Sequence, residues 1–316
     1  MAAKPQRVKR YQNSLAIGRF TPYVYILPAV AVLLIMVAYP FVYGVSLSFT
    51  DMSLATFKKP NFIGLNNYIE LFQDAMFYGT FGRTVFWTVI NVFFHVTIGL
   101  FLAMLLNRKL PGKTFFRIFL IIPWAMPQYI ASLTWRGMFN LQYGLVNILI
   151  DKTGIGRELF YFGLIDKYPI PWLNDPQWTF TGAVITNIWL GFPFMMMVCL
   201  GALQSINASL YEAADIDGAT NWQKFTKITL PLIKPVLTPS IVLGTVWTFN
   251  MLNVILILTG GFGNDKTQIL VTQVYRQGFN FYRYGYAAAY SVAIFAMLLA
   301  FTVTFMKYMK GTEAVE

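Results

Sequence analysis

The chain has 316 residues, of which 57% are hydrophobic and only 12% charged, and 24 Lys+Arg against 13 Asp+Glu leave a formal charge of +11. A soluble domain carries roughly a quarter charged residues, so this composition excludes a solvated globular surface and implies an all-α polytopic membrane protein. Cys199 is the only cysteine and His95 the only histidine, which excludes a disulfide framework and argues against a Cys/His metal site.

A membrane helix needs ~20 mostly apolar residues. Runs of that kind predict about six spans, at 23–49, 82–106, 115–138, 178–203, 237–259 and 286–306. The chain then divides into an N-terminal segment 1–22, a membrane domain 23–306 with a long loop at 204–236, and a tail 307–316. The first run is too long for a signal peptide's apolar region and no small-residue cleavage site follows it. Its basic approach (Lys4, Arg7, Lys9, Arg10 and Arg19) and the acid-free 107–117 connection (Arg108, Lys109, Lys113 and Arg117) predict that both lie inside. Lys224, Lys227, Lys234, Lys307 and Lys310 fall on the same side, so both termini are expected in the cytoplasm. Positive charge thus reads as topology and not as nucleic-acid binding. The longer outside segments, 50–81 and 139–177, are expected to fold as small caps of short helix and loop.

The inside loop from Ser209 to Pro235 is the most informative stretch. Ser209 and Glu212 have capping-box spacing at the start of a short helix. Ala213 and Ala214 allow another surface to approach closely, and Gly218 tolerates the left-handed conformation that stops a helix. A second helical segment is expected from Trp222 to Ile228, with Leu230-Pro231 turning the chain back to the membrane.

Two further patterns concern the spans. Asn187, Leu190, Gly191 and Phe194 are spaced i, i+3, i+4, i+7 and share one face of the fourth span; Val246, Phe249, Asn250 and Asn253 repeat the spacing on the fifth. Amides within a bilayer face the bundle or a cavity, where they either glue helices together or meet a ligand. Gly191 permits close approach, and Pro193 opens the hydrogen-bond ladder. Asn donates to and accepts from hydroxyls, and aromatic rings offer apolar faces to C–H groups. Gly112-Lys113-Thr114 does not complete a phosphate-binding loop, because Asn107 stands where its first glycine belongs. His95 reads as a packed, hydrogen-bonded histidine.

Glu212, Ala213, Ala214, Asp217, Gly218 and Ala219, followed by Ile228, Leu230 and Pro231, resemble the EAA loop of ABC importer permeases. With Phe62–Tyr68, Ile122–Pro127 and Ile185–Ser205, the chain is similar to the larger permease subunit of maltose-type carbohydrate importers, without that subunit's extra N-terminal spans and large outside domain. The resemblance implies an ATP-driven importer of maltose, malto-oligosaccharide or another oligosaccharide. Acidic oligosaccharide and glycerol phosphate are alternatives within the class. It also implies that Glu212, Ala213, Ala214, Asp217 and Gly218 couple to the ATPase, and that Asn187, Leu190, Gly191, Phe194, Phe249, Asn250 and Asn253 line the sugar site. The implied partners are a second permease chain, two ATP-binding cassette subunits that carry ATP and magnesium, an extracytoplasmic solute-binding protein and membrane lipid. This chain itself is then no enzyme and binds no cofactor. An ion-coupled secondary transporter is the rival class, against which stands the lack of Asp or Glu in the predicted spans.

Overall fold

The computed structural model describes residues 21–108, 110–261 and 264–313. The basic stretch through Arg19, Lys109 and residues 314–316 lie outside the described residues. The described chain is helical apart from one bridge between Thr50 and Phe62.

Five helices are long and apolar enough to cross a membrane, and a sixth crossing is available if one bent pair is counted as a span. They are α1 (Pro22–Leu47), α3 (Ala75–Asn107), α8 (Pro176–Gln204), the run Asn221–Leu258, and α14 (Tyr284–Glu313), whose apolar part ends at Met309. Outside α1 lies α2 (Asn66–Gln73). The Phe62–Tyr68 stretch acts here as a clamp. Asn67 Nδ2 donates to the Ser48 and Thr50 carbonyls at 2.9 and 2.8 Å, closing the end of α1. The Leu54 N–H donates to the Tyr282 carbonyl (3.1 Å), and the Gly285 N–H to that of Met52 (2.8 Å), which ties this loop to the start of α14.

Helix α3 begins seven residues before the expected span because the Asp74 carboxylate accepts from the Met76 N–H at 2.8 Å and caps it there. The expected third span is not one helix. It is α4 (Lys113–Ala125) and α5 (Gln128–Met138), bent by 95°. Pro127 disfavours helical geometry at Met126, which is extended (φ −75°, ψ 140°), so the helix must stop there. The second outside cap contains α6 (Leu145–Lys152) and α7 (Ile155–Tyr161), held down by Asn147, which donates to the Ile170 carbonyl (3.0 Å) and accepts from Trp172 Nε1 (3.1 Å). Asp175 then caps α8, its carboxylate accepting from the Gln177 N–H at 3.0 Å. The Lys167 ammonium on the same group holds that carboxyl below its ordinary value.

The centre of the bundle is α8 against α3. Without a hydrophobic drive between helices in lipid, close packing needs small residues. A Cβ at Gly99 would stand 2.7 Å from both Met195 Cβ and the Met196 nitrogen, so only glycine fits that crossing. Cys199, Ala202, Leu203 and Ala103 continue the contact inward.

After α8 the chain forms α9 (Ala208–Ile216) and α10 (Asn221–Lys224), passes through a π-helical turn at Phe225–Thr229, and continues as α11 (Leu230–Phe249) and α12 (Leu252–Leu258). Three local expectations are corrected here. Asn207, not Ser209, caps α9, accepting from the Ser209 N–H at 3.0 Å. The capping box of this region is instead Thr220 with Gln223. The chain also does not turn at Leu230-Pro231: it runs on helically from Asn221, and Pro231 follows the π-helical turn, where the regular i→i−4 ladder is already interrupted. Finally α13 (Leu270–Tyr275) packs between α3 and α14.

Candidate functional site

A cavity of ≈ 420 Å³ opens where α4 bends into α5 and faces α8 and the end of α11. The bend supplies Trp124, Met126 and Gln128; α8 supplies Asn187, Leu190, Gly191, Phe194 and Met195; α11 and its end supply Val246, Trp247 and Asn250. His95 of α3 forms the floor.

The floor is built from three residues. The His95 ring occupies the space that a side chain at position 191 would need, and its Nε2 lies 2.9 Å from the Asn187 carbonyl oxygen. Asn187 Nδ2 is buried and has no partner among the described residues. A buried, unpaired amide donor is costly, so a cavity wall is a physically sensible place for it.

One side wall is aromatic. Phe194 sits between two indoles, its ring centre 6.3 Å from that of Trp124 at an interplanar 31° and 5.2 Å from that of Trp247 at 61°. The opposite edge is made by a helix break. Asn250 leaves helical geometry (φ −95°, ψ 18°), and Met251 is at φ −76°, ψ 87°. Side chains also bond to carbonyls beside the break: Asn250 Nδ2 donates to Val246 at 2.9 Å and Trp87 Nε1 to Thr248 at 2.8 Å. This leaves the Asn250 side-chain oxygen as an acceptor at the cavity edge. No Lys, Arg, Asp or Glu is among the described residues that line the cavity.

Thus Asn187, Leu190, Gly191, Phe194, Val246 and Asn250 share the cavity. Phe249 does not. It is buried among Phe77, Leu270, Tyr286 and Tyr290, and its other side borders a lipid-level groove with Val85 and Met297. Asn253 lies beyond the break on α12, and its amide reaches the cavity only indirectly, donating to Gln128 Oε1 at 3.5 Å. The i, i+3, i+4, i+7 face on the fifth span assumes an unbroken helix, and the break after Phe249 removes that assumption. Sequence reasoning did not assign Trp124, Gln128 and Trp247 to the site. The signal for the first two was Pro127 inside an apolar run; Trp247 carried none beyond its neighbourhood to Asn250.

Beyond the end of α8, α9 turns one face to solvent. Glu212, Ala213, Asp217 and Gly218 are exposed and Ala214 is half-buried. Ile216 is 88% exposed and Trp222 70% exposed, which sets two large apolar groups beside the carboxylates. Gly218 (φ +73°) ends the helix, and the Ala219 N–H returns to the Ala214 carbonyl at 2.9 Å.

Residues 95–309 match the family described as "Binding-protein-dependent transport system inner membrane component". The chain is 33% identical to the trehalose/maltose transport system permease protein MalF of Thermococcus litoralis, over 90% of this chain and 92% of that one. It is 32% identical to the sulfoquinovosyl glycerol transport system permease protein SmoG of Agrobacterium fabrum, over 98% and 96%. Among solved structures, a chain of a bacterial ABC transporter that imports the acidic polysaccharide alginate superposes with a TM-score of 0.76 at 24% identity, covering 95% of this chain and 98% of that one.

Proposed function

Since the chain belongs to the inner-membrane permeases of binding-protein-dependent ABC importers, in the carbohydrate-uptake branch, we propose that its central cavity is half of a translocation site for a neutral oligosaccharide of the maltose type. The chain is the multi-pass permease component and not the ATPase, and its importer class works with ATPase subunits and a solute-binding protein. Membership in this family sets aside the secondary transporter.

The observation that carries the reading is the pairing of the Trp124–Phe194–Trp247 wall with the amides of Asn187 and Asn250 around one cavity. Sugar rings have apolar C–H faces and hydroxyl edges, and the two walls match those in turn. An anionic sugar would have to leave water without a cation from this chain, at a cost that the described lining does not offset. A neutral substrate agrees with the relative named for trehalose/maltose rather than with those named for sulfoquinovosyl glycerol or alginate.

In the mechanism we propose, the other half of the cavity comes from a second, similar permease chain, against which the half-exposed Trp124 and Trp247 are turned. ATP and magnesium sit on two separate ATP-binding subunits. Those subunits receive α9 through Glu212, Ala213, Ala214, Asp217 and Gly218, within the coupling loop 204–236. Both termini and α9 lie in the cytoplasm, and the α6–α7 cap faces the solute-binding protein. Closure of the ATPase pair moves α9, opens the permease pair outward to accept sugar, and hydrolysis returns it inward.

Purification of the assembled importer from cells, with mass spectrometry of its bound ligand, tests the substrate class. A hexose oligosaccharide without acidic groups is expected. A uronic-acid oligosaccharide or a sugar phosphate would contradict the assignment.

A further inference from the structure

Helix α9 is attached to the membrane domain almost without packing: none of its residues is buried. Polar contacts hold it instead, and they converge on the foot of α11. Tyr211, on the inward face of α9, places its hydroxyl 2.9 Å from Thr229 Oγ1. Thr229 is buried and is the last residue of the π-helical turn. The Thr229 hydroxyl also lies 3.3 Å from the Lys224 carbonyl, which can accept its proton while Tyr211 donates to Thr229. The Lys224 ammonium reaches back to Asp215 Oδ1 of α9 at 2.6 Å, its own side chain only 18% exposed. Two residues of α9 one turn apart, Tyr211 and Asp215, thus bond to the last residue of the π-helical turn and to the residue just before it.

We propose, resting on the coupling role assigned to α9, that the Tyr211–Thr229 hydrogen bond is the strut that transmits movement of α9 into α11. From Leu230 to Phe249, α11 spans 20 residues and ends at the cavity edge with Val246, Trp247 and Asn250. At ~1.5 Å per residue this is about 30 Å of continuous helix, long enough to connect the inner face to the middle of the bilayer. The Asp215–Lys224 pair lands before the π-helical turn, whereas the Tyr211–Thr229 bond lands at its end, next to the first residue of α11. π-helical turns recur at functional positions because they hold a helix slightly open, and here the opened turn is the place where the strut lands. Tyr211 and Thr229 act as positioning residues. Neither residue is among those assigned to docking, and substitution to Phe and Val keeps the side-chain shape.

The test uses the complete importer with its ATP-binding subunits and solute-binding protein, in vesicles. Tyr211→Phe and Thr229→Val remove the bond with little change in volume. Two readouts serve: radiolabelled maltotriose taken up per ATP hydrolysed, and the ratio of ATP hydrolysis with the binding protein to that without it. Both are expected to fall at least threefold in each variant, with the ATP-binding subunits still co-purifying at full yield. Thr229→Ser, which keeps the hydroxyl, is expected to retain wild-type values, and the double variant to be no worse than either single one. Wild-type ratios in Tyr211→Phe and Thr229→Val, while Glu212→Lys is defective, would overturn the strut alone. Wild-type ratios in Glu212→Lys as well would overturn the coupling role of α9. Loss of the ATP-binding subunits from Tyr211→Phe would also overturn the strut, because the contact would then serve assembly.

Discussion

Helices α1 and α8 are both apolar enough to span a membrane, yet half of the most apolar window of α8 is buried within the chain and none of that of α1 is. The difference lies in residue size and polarity. α8 carries the small or polar residues Gly182, Ala183, Thr186 and Asn187 buried along it and Gly191 against His95, whereas α1 carries Leu, Ile, Val and Tyr around its whole circumference. α1 is pinned at its C-terminal end by Asn67 and touches α14 through the Phe41–Phe295 edge contact at 5.0 Å. In lipid, apolarity determines that a helix crosses; small and polar residues determine what it packs on. Sites are built where those residues collect.

The strongest challenge to this contrast is at Gly191. Gly191→Ala drives a methyl into the His95 ring, and overpacking of this kind costs about 1–3 kcal/mol. A lowered melting temperature of the purified chain is expected, with partial recovery in the Gly191→Ala/His95→Ala double variant. No destabilisation would mean that α3 and α8 do not pack this closely. Asn67→Ala comes next: it leaves the Ser48 and Thr50 carbonyls without their donors, a loss of about 1–3 kcal/mol where such groups are buried. Faster proteolysis within 50–65 is the expected sign, with the α8 region unchanged.

The cavity wall should respond more mildly. Trp247→Ala removes one ring contact to Phe194 and one face for the sugar, and aromatic contacts are worth about 0.5–1.5 kcal/mol each. Half-saturating sugar is expected to rise roughly two- to tenfold with the yield of chain maintained. On α1, by contrast, Leu33→Ala should change the stability of the isolated chain by less than about 0.5 kcal/mol, as at any site free of packing partners. A larger loss would show that α1 has neighbours within the chain.

The smallest expected effect is one of pH. The Asp175 carboxyl caps α8 and is held below its ordinary value of 3.8 by Lys167. A depressed folded value means that the cap contributes above the ordinary value and is lost as pH falls through the lower folded one. Amide exchange at Gln177 should therefore accelerate only in strong acid, and in Asp175→Asn that acid dependence should disappear.

Much of this fold is legible in the sequence because hydropathy over ~20 residues measures what a bilayer selects. The breaks are harder to read. Met126-Pro127 announces the 95° bend through the restriction that proline places on its predecessor, but an uninterrupted apolar run conceals it. Nothing local announces the break at Asn250, which is held by Trp87 from another helix. For that reason Phe249 and Asn253 read as neighbours of Asn250 on one face, and the structure separates them. Trp124 and Trp247 pass in a sequence as span filler; only the bend and the break bring them together around Phe194. At α9, Asn207 and Ser209 are both good caps two residues apart, and the choice between them depends on where the preceding span releases the chain. The Thr220–Gln223 box, in contrast, is written openly as T-x-x-Q and goes unread beside the richer Ser209–Glu212 pattern.

The central claim is that the polar and aromatic walls around Asn187 form the sugar's path. Its most direct test is uptake of a labelled neutral oligosaccharide, maltotriose, by an importer carrying Asn187→Ala and Phe194→Ala together, at limiting sugar and with assembly verified by subunit yield. Loss of two such contacts should lower uptake about tenfold, while ATP hydrolysis in the absence of the binding protein continues at its normal rate. Uptake equal to that of the unaltered complex would contradict the account and assign both residues to helix packing.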